Sequence, residues 1–343
     1  MKAAYIENGI VRSGEMPAPV PGKGQALVRT YSCGMCASEA HFLHAGQNVI
    51  ALSRRHGGPY AALDFTRPFI PGHEFVGEVL DYGPGSDRTV KVGRRVTSVP
   101  VMRAQGSHAV IGFSHDCPGG FGELMLLDEG ALIEIPQGVT DDQAAMIEPL
   151  AVGLEHARRG RPDKNDVALV IGCGAIGLGV IAGLRLMGVG PIIAADFHEK
   201  RRQQAMAMGA HVAVDPRNIS PYEPLPDIGN RRPTVVYECV GLPGLLQKII
   251  ESVPFDARIV MGGYCMESEQ FYVFAAQNKR LTIHFACGEE SQDMQLALRS
   301  IADGTIDVAS WVGSRIGLDQ VGQALAEMSG PNAAVRTVVD PRK

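Results

Sequence analysis

The stretch from Val167 to Gly177 constrains this chain most. An apolar, β-branched run over residues 166–171 leads into Gly172-Cys173-Gly174-Ala175-Ile176-Gly177, and an apolar helical pattern follows over 175–187. This is G-x-G-x-x-G directly after a strand and opening a helix. The first glycine permits the tight turn, the second lets backbone approach a pyrophosphate, and the third lets the helix pack on the strand. The helix N-terminus then offers free N–H groups and a partial positive charge to phosphate. A second short strand, 191–195, ends in Asp196, at the spacing of about 20 residues expected for a ribose-binding acid. A carboxylate there accepts both ribose hydroxyls and repels a 2′-phosphate, so NAD is expected over NADP. Arg201 is placed to cover the adenosine face. The alternation continues with a helix at 199–208 and a strand at 212–214. A strand at 234–239, a helix at 245–251 and a strand at 258–261 follow. Strand alternating with helix implies a parallel, doubly wound sheet. Ligands gather at the carboxyl ends of such strands, so Val240, Gly241, Met261, Gly262 and Gly263 are expected to line the nicotinamide.

Before this region the pattern differs. Residues 25–31, 74–82, 94–101 and 122–127 read as strands, broken by Pro17, Pro19, Pro21, Pro71, Gly72, Pro84 and Gly85. That predicts an antiparallel, barrel-like β unit. Residues 141–159 read as one helix with Thr140 as N-cap. The last stretch predicts helices at 293–302 and 318–328 and a closing strand at 335–339.

At 343 residues the chain has room for two domains. Its 45% apolar and 20% charged residues suit a globular protein, and a net charge of −5 makes nucleic acid a poor partner. The apolar run 167–171 is cut from 175–186 by the glycine turn, so neither reads as a membrane span. Met1-Lys2-Ala3-Ala4-Tyr5-Ile6 lacks the apolar run of a secretory signal, and seven cysteines are an odd number. Reduced thiols and a cytoplasmic location are expected.

Two early segments carry unusual chemistry: Cys33-Gly34-Met35-Cys36-Ala37-Ser38-Glu39-Ala40-His41 and Gly72-His73-Glu74. Further on stands Glu148-Pro149-Leu150-Ala151-Val152. With the glycine motif behind them, these segments resemble the zinc-containing medium-chain dehydrogenases, on the sorbitol- and threonine-dehydrogenase side of that family. The resemblance covers essentially the whole chain. It implies a GroES-like, β-barrel-type catalytic domain over 1–149, to which 287–343 returns, and a Rossmann NAD-binding domain over 150–286. It also implies a homodimer or homotetramer.

Carried over residue by residue, Cys36 and His73 resemble zinc ligands. Glu148 stands in the place of a third ligand, and Glu74 resembles an acid that either binds the metal or stands behind it. Thiolate, imidazole and carboxylate with one open position suit catalytic zinc. Glu39 resembles the acid that orients the histidine ligand. Ser38 and His41 stand where the family carries a proton relay. The implied reaction is hydride transfer between NAD and an alcohol, polyol or hydroxy-amino acid, giving the ketone or aldehyde. A zinc-free quinone or enone reductase of the same fold and a cofactor-retaining lyase or dismutase are the competing readings. Cys33 reads as structural, and Cys173, Cys239, Cys265 and Cys287 as buried small hydrophobes. His108, His115, His198 and His211 read as bystanders.

Two departures stand out. Residues 102–120 hold Cys117 as their sole thiol, which cannot build the family's four-cysteine structural zinc site, so one zinc is expected. The span from Cys36 to His73 is longer than usual, the excess lying around Asn48–Phe65. A long loop returning to the metal segments is expected to border the substrate, with Arg54 or Arg55 meeting an anionic group.

Overall fold

The computed structural model describes residues 1–103, 109–328 and 335–343. The chain divides into two compact units, Met1–Glu148 with Met294–Lys343, and Pro149–Asp293.

The first unit opens with the hairpin β1 (Lys2–Glu7) and β2 (Ile10–Glu15), then β3 (Gln25–Gly34), α1 (Ala37–His56), β4 (Glu74–Tyr82), β5 (Arg95–Thr97), β6 (Val101–Met102), β7 (Ala109–Val110), β8 (Leu124–Asp128) and β9 (Ile133–Glu134). Two helices, α2 (Asp141–Ala145) and α3 (Ile147–Arg159), carry the chain into the second unit. There β10 (Ala168–Ile171), α4 (Ala175–Leu186), β11 (Ile192–Ala195), α5 (Glu199–Met208), β12 (Val212–Val214), β13 (Val235–Glu238), α6 (Leu245–Ser252), β14 (Arg258–Met261), α7 (Val273–Asn278) and β15 (Thr282–Phe285) follow in turn. The return to the first unit comes within α8 (Ser291–Ala302), and β16 (Val312–Ile316), α9 (Val321–Glu327) and β17 (Arg336–Val339) complete it.

The second unit is a six-stranded sheet in the order β12-β11-β10-β13-β14-β15, parallel throughout. The edge strand β15 and helix α7 escaped the sequence reading. Thr282-Ile283-His284-Phe285 is half-exposed and lacks the continuous apolar run of a strand buried on both faces. In the first unit a seven-stranded sheet runs β16-β17-β3-β4-β5-β9, with β8 on β3. Its core gathers Val28, Cys33, Met35, Phe75, Val79, Phe121, Met125 and Val339.

The helix expected over 141–159 is broken at Met146. Thr140 caps α2, its hydroxyl accepting from the Gln143 N–H. Pro149 has no N–H to give Ala145, and its ring would strike that carbonyl. The chain restarts as α3, with Pro149 in the tolerated first turn.

Of the segment expected as a loop over Asn48–Phe65, the part up to His56 is instead the second half of α1, and the rest is turn and loop. Glu39 sits in the first turn, Arg54, Arg55 and His56 in the last, and Gly57 closes the helix at φ 79°. This charge order suits the helix dipole, and glycine suits the left-handed cap. Phe42, Gly46, Val49, Ile50 and Ser53 form its buried face. That spacing is helical, so the signal was present.

Candidate active site: a metal-ligand group and a dinucleotide turn

The ligand-bearing side chains meet because three strand ends meet. In the antiparallel register of β3 and β4, Gly34 pairs with Glu74 and Cys33 with Phe75; β17 pairs Val338 with Gly34 on the other side. Cys36 lies just past the end of β3, and His73–Glu74 at the start of β4. One ligand atom from each of Cys36, His73 and Glu74 lies within 4.8 Å of the others. A Cβ at Gly34 would collide with Glu74 Oε2, so a larger residue there would push that carboxylate out of the ligand group.

Two charged residues frame this group. Glu39 is fully buried; its Oε2 accepts from the Cys36 N–H at 2.6 Å, and its Oε1 stands 2.5 Å from His73 Nδ1. That second contact is close enough to pair but is not aligned as a hydrogen bond. Arg336, from β17, donates to Glu74 Oε1 at 2.7 Å and reaches Cys36 Sγ at 3.9 Å. Sequence reading missed Arg336, and no local pattern marks it. Burial opposes a charged His73, but Glu39 and Cys36 outweigh it and hold its pKa well above the ordinary value. Burial pushes the Glu74 carboxyl up, against the pull of Arg336 and His73.

Glu148 is buried in the first turn of α3, outside the ligand group, though its charge is felt by Arg336 and Cys33. Ser38 is in the first turn of α1, its Oγ buried without a hydrogen-bond partner; His41 is half-buried one turn on. Cys33 is buried, as expected. Of the four cysteines expected to be buried, Cys173 is, Cys239 and Cys265 are partly so, and Cys287 is exposed. His115 accepts from the Asp64 N–H, and His211 from the Ile192 N–H. The bystander His108 lies outside the described residues.

In the second unit the three glycines take separate roles. Gly172 turns at φ 87°, and a Cβ there would meet Val240 Cγ2 at 2.7 Å. Gly174, the N-cap of α4, has nothing within 4 Å of its Cβ position, which leaves room for a phosphate. At Gly177 a Cβ would collide with the Gly172 carbonyl oxygen. Replacing Gly177 with Ala is therefore expected to cost about 1–3 kcal/mol of stability and to weaken dinucleotide binding; thermal melting with and without a nicotinamide dinucleotide checks both.

Asp196 ends β11 with its carboxylate turned to the glycine turn, accepting from the Cys173 N–H at 2.8 Å and the His198 N–H at 2.7 Å. Arg202 grips the Asp196 and Phe197 carbonyls, while Arg201 is half-buried beside it. The turns after β13 and β14 are tied together by Glu238, another residue the sequence did not single out. Its Oε1 accepts from Val240 and Gly241 N–H, and its backbone carbonyl from Gly262 and Gly263 N–H.

Residues 22–137 match the family model of the alcohol dehydrogenase GroES-like domain, and residues 175–303 that of the zinc-binding dehydrogenases. The (R,R)-butanediol dehydrogenase of Bacillus subtilis is 30% identical over 273 residues, covering 76% of this chain and 77% of its own length. The chain belongs to the zinc-dependent alcohol dehydrogenase family. A sorbitol dehydrogenase of the same organism is 26% identical, covering 100% of this chain and 98% of its own. The crystal structure of 2R,3R-butanediol dehydrogenase from Bacillus subtilis superposes with a TM-score of 0.82 at 26% identity over 99% of both chains. As a member of this family the protein is a zinc- and nicotinamide-dependent oxidoreductase of alcohols or polyols. No helix among the described residues is long and apolar enough to cross a membrane.

Proposed function

We propose that this protein oxidises a secondary alcohol or diol with NAD, using one zinc ion held by Cys36, His73 and Glu74. The observation that carries this reading is the convergence of three chemically matched donor atoms within 4.8 Å. Glu74 Oε2 is buried without a partner, a vacancy in hydrogen bonding that a cation would fill. Glu39 faces His73 Nδ1, which leaves Nε2 as the metal-binding atom. Glu148 is close enough to add its charge and serves as an alternative carboxylate.

When bound, zinc supplies the Lewis acid that eases loss of the hydroxyl proton, and the nicotinamide supplies the hydride acceptor. The chain's own residues do the rest. Ser38 Oγ, unpartnered and buried, is free to accept that proton and donate its own, and His41 delivers it to solvent. Gly172, Gly174, Ala175, Ile176 and Gly177 hold the pyrophosphate on the N-terminus of α4. Asp196, with Arg201 nearby, holds the adenosine ribose and disfavours a 2′-phosphate. The turns Val240–Gly241 and Met261–Gly263 hold the nicotinamide.

Cys117 alone supports one zinc per chain. Seven unpaired thiols support a reducing, cytoplasmic setting. Exposed Tyr272, Val273, Phe274 and Phe285, and an outer edge of β15 that no further strand covers among the described residues, support a homo-oligomer. One preparation tests all of this. Metal analysis should find about one zinc per chain, NAD should outperform NADP with 2,3-butanediol, and light scattering should find more than a monomer. A zinc-free protein still active on alcohols would overturn the proposal.

A further inference from the structure

The insertion between Cys36 and His73 keeps Arg54, Arg55 and His56 exposed at the end of α1, and part of that charge is spent within the insertion itself. Arg54 spends its Nε and one terminal nitrogen on the carbonyls of Ala61 and Leu63, at 3.0 and 2.8 Å. Asp64 accepts from Thr66, and its N–H is taken by His115. Two of the Arg54 nitrogens thus hold the loop closed, while Arg54 and Arg55 both stay exposed at the end of α1.

The insertion also presents a ring. The tight turn at Gly57 and Gly58, both donating to the Ser53 carbonyl, carries the chain back to Tyr60. Tyr60 packs against Phe42 and Phe113 with centroids 5.5 Å apart in each case, and Phe42 against Phe113 at 4.9 Å. Phe113 in turn lies 5.8 Å from the His73 ring. A chain of packed aromatic contacts thus links the proposed metal ligand to the insertion. Phe42 and Phe113 are buried, and Tyr60, half-buried, is its accessible end. The surface is fixed in place. Gly46 on α1 leaves just enough room for Phe65 and Phe42, since a Cβ there would approach them to 2.8 and 2.9 Å. Such a wall is held by packing.

Resting on the function proposed above, we infer that Tyr60 is a specificity-determining residue: it receives the uncharged, apolar arm of a secondary alcohol, aryl or medium-chain alkyl, whose hydroxyl lies on the His73 side. A ring offers a flat apolar face to such an arm and no charge partner for a phosphate or carboxylate. A polyol arm would lose its water without regaining its hydrogen bonds.

The test compares wild type, Tyr60→Ala and Tyr60→Phe on 1-phenylethanol, 2,3-butanediol and sorbitol, after melting curves confirm that each is folded. Wild type should favour 1-phenylethanol over sorbitol. Tyr60→Ala should lower kcat/KM for 1-phenylethanol about ten-fold, through KM, while 2,3-butanediol changes less than about two-fold. Tyr60→Phe, which keeps the ring, should retain the wild-type ratio. Calorimetric titration of the zinc-loaded protein with 1-phenylethanol, without cofactor, should show the same loss in Tyr60→Ala independently of turnover. Equal losses on both alcohols, or a wild type that favours sorbitol, overturn this inference and leave the dehydrogenase reading standing. A zinc-loaded wild type inert to all three alcohols overturns both.

Discussion

Cys36→Ser protein should fold, purify with little zinc, and lose activity by a factor on the order of 1,000 or more. Weakening the support of a ligand already costs about 10–100-fold in metal affinity or activity, and removing a thiolate ligand costs more. A serine hydroxyl is not ionised at neutral pH and is a harder, weaker donor. The fold survives because the local bonds at this position are made by backbone. The Cys36 N–H goes to Glu39 Oε2, and the Cys36 carbonyl accepts from the Glu39 N–H. Metal analysis, turnover with 2,3-butanediol and a melting curve on one sample separate these effects. Full zinc content with full turnover would show that Cys36 is not a ligand.

Removing Arg336 should damage the fold instead. Arg336 is buried among Glu74, Cys36, Glu148 and Glu39, and these acidic neighbours outweigh the burial that opposes its charge. Arg336→Met leaves the Glu74 carboxylate, itself fully buried, without its 2.7 Å partner. Breaking a buried pair from one side costs about 3–5 kcal/mol, whereas replacing both partners with apolar groups of similar size is often nearly neutral. Chemical denaturation of metal-free protein should therefore show a large loss for Arg336→Met. Much of it should be recovered in Arg336→Met with Glu74→Leu, and a double-mutant cycle measures the coupling. A loss below about 1 kcal/mol in the single variant would place Arg336 among ordinary surface charges.

Both residues belong to one site, yet they differed in how visible they were. Cys36 lies in a short segment whose composition is unusual by itself. Arg336 lies in an ordinary β-strand, and its importance comes from strand pairing with β3. Glu238 is similar: an acid at a strand end that draws two turns together. The insertion was misread for another reason. Its helical spacing was present in Phe42, Gly46, Val49, Ile50 and Ser53, but the glycine-rich Arg54–Tyr60 stretch suggested a loop. Gly46 is there for the approach of Phe65.

What the amino-acid order determined alone is what neighbours along the chain can decide. It set the alternation of strand and helix from 166 onward, the glycine turn that only residues without a Cβ can make, and the Thr140 cap. It also placed an acid at the end of β11. What tertiary structure alone decided is which distant groups share a space. Register across β17, β3 and β4 put Glu74 in the ligand group, left Glu148 outside it, and brought Arg336 to neutralise it. Packing of the insertion on α1 set Tyr60 against Phe42 and Phe113. Such pairings depend on contacts between residues far apart in the chain, and no local period or motif records them.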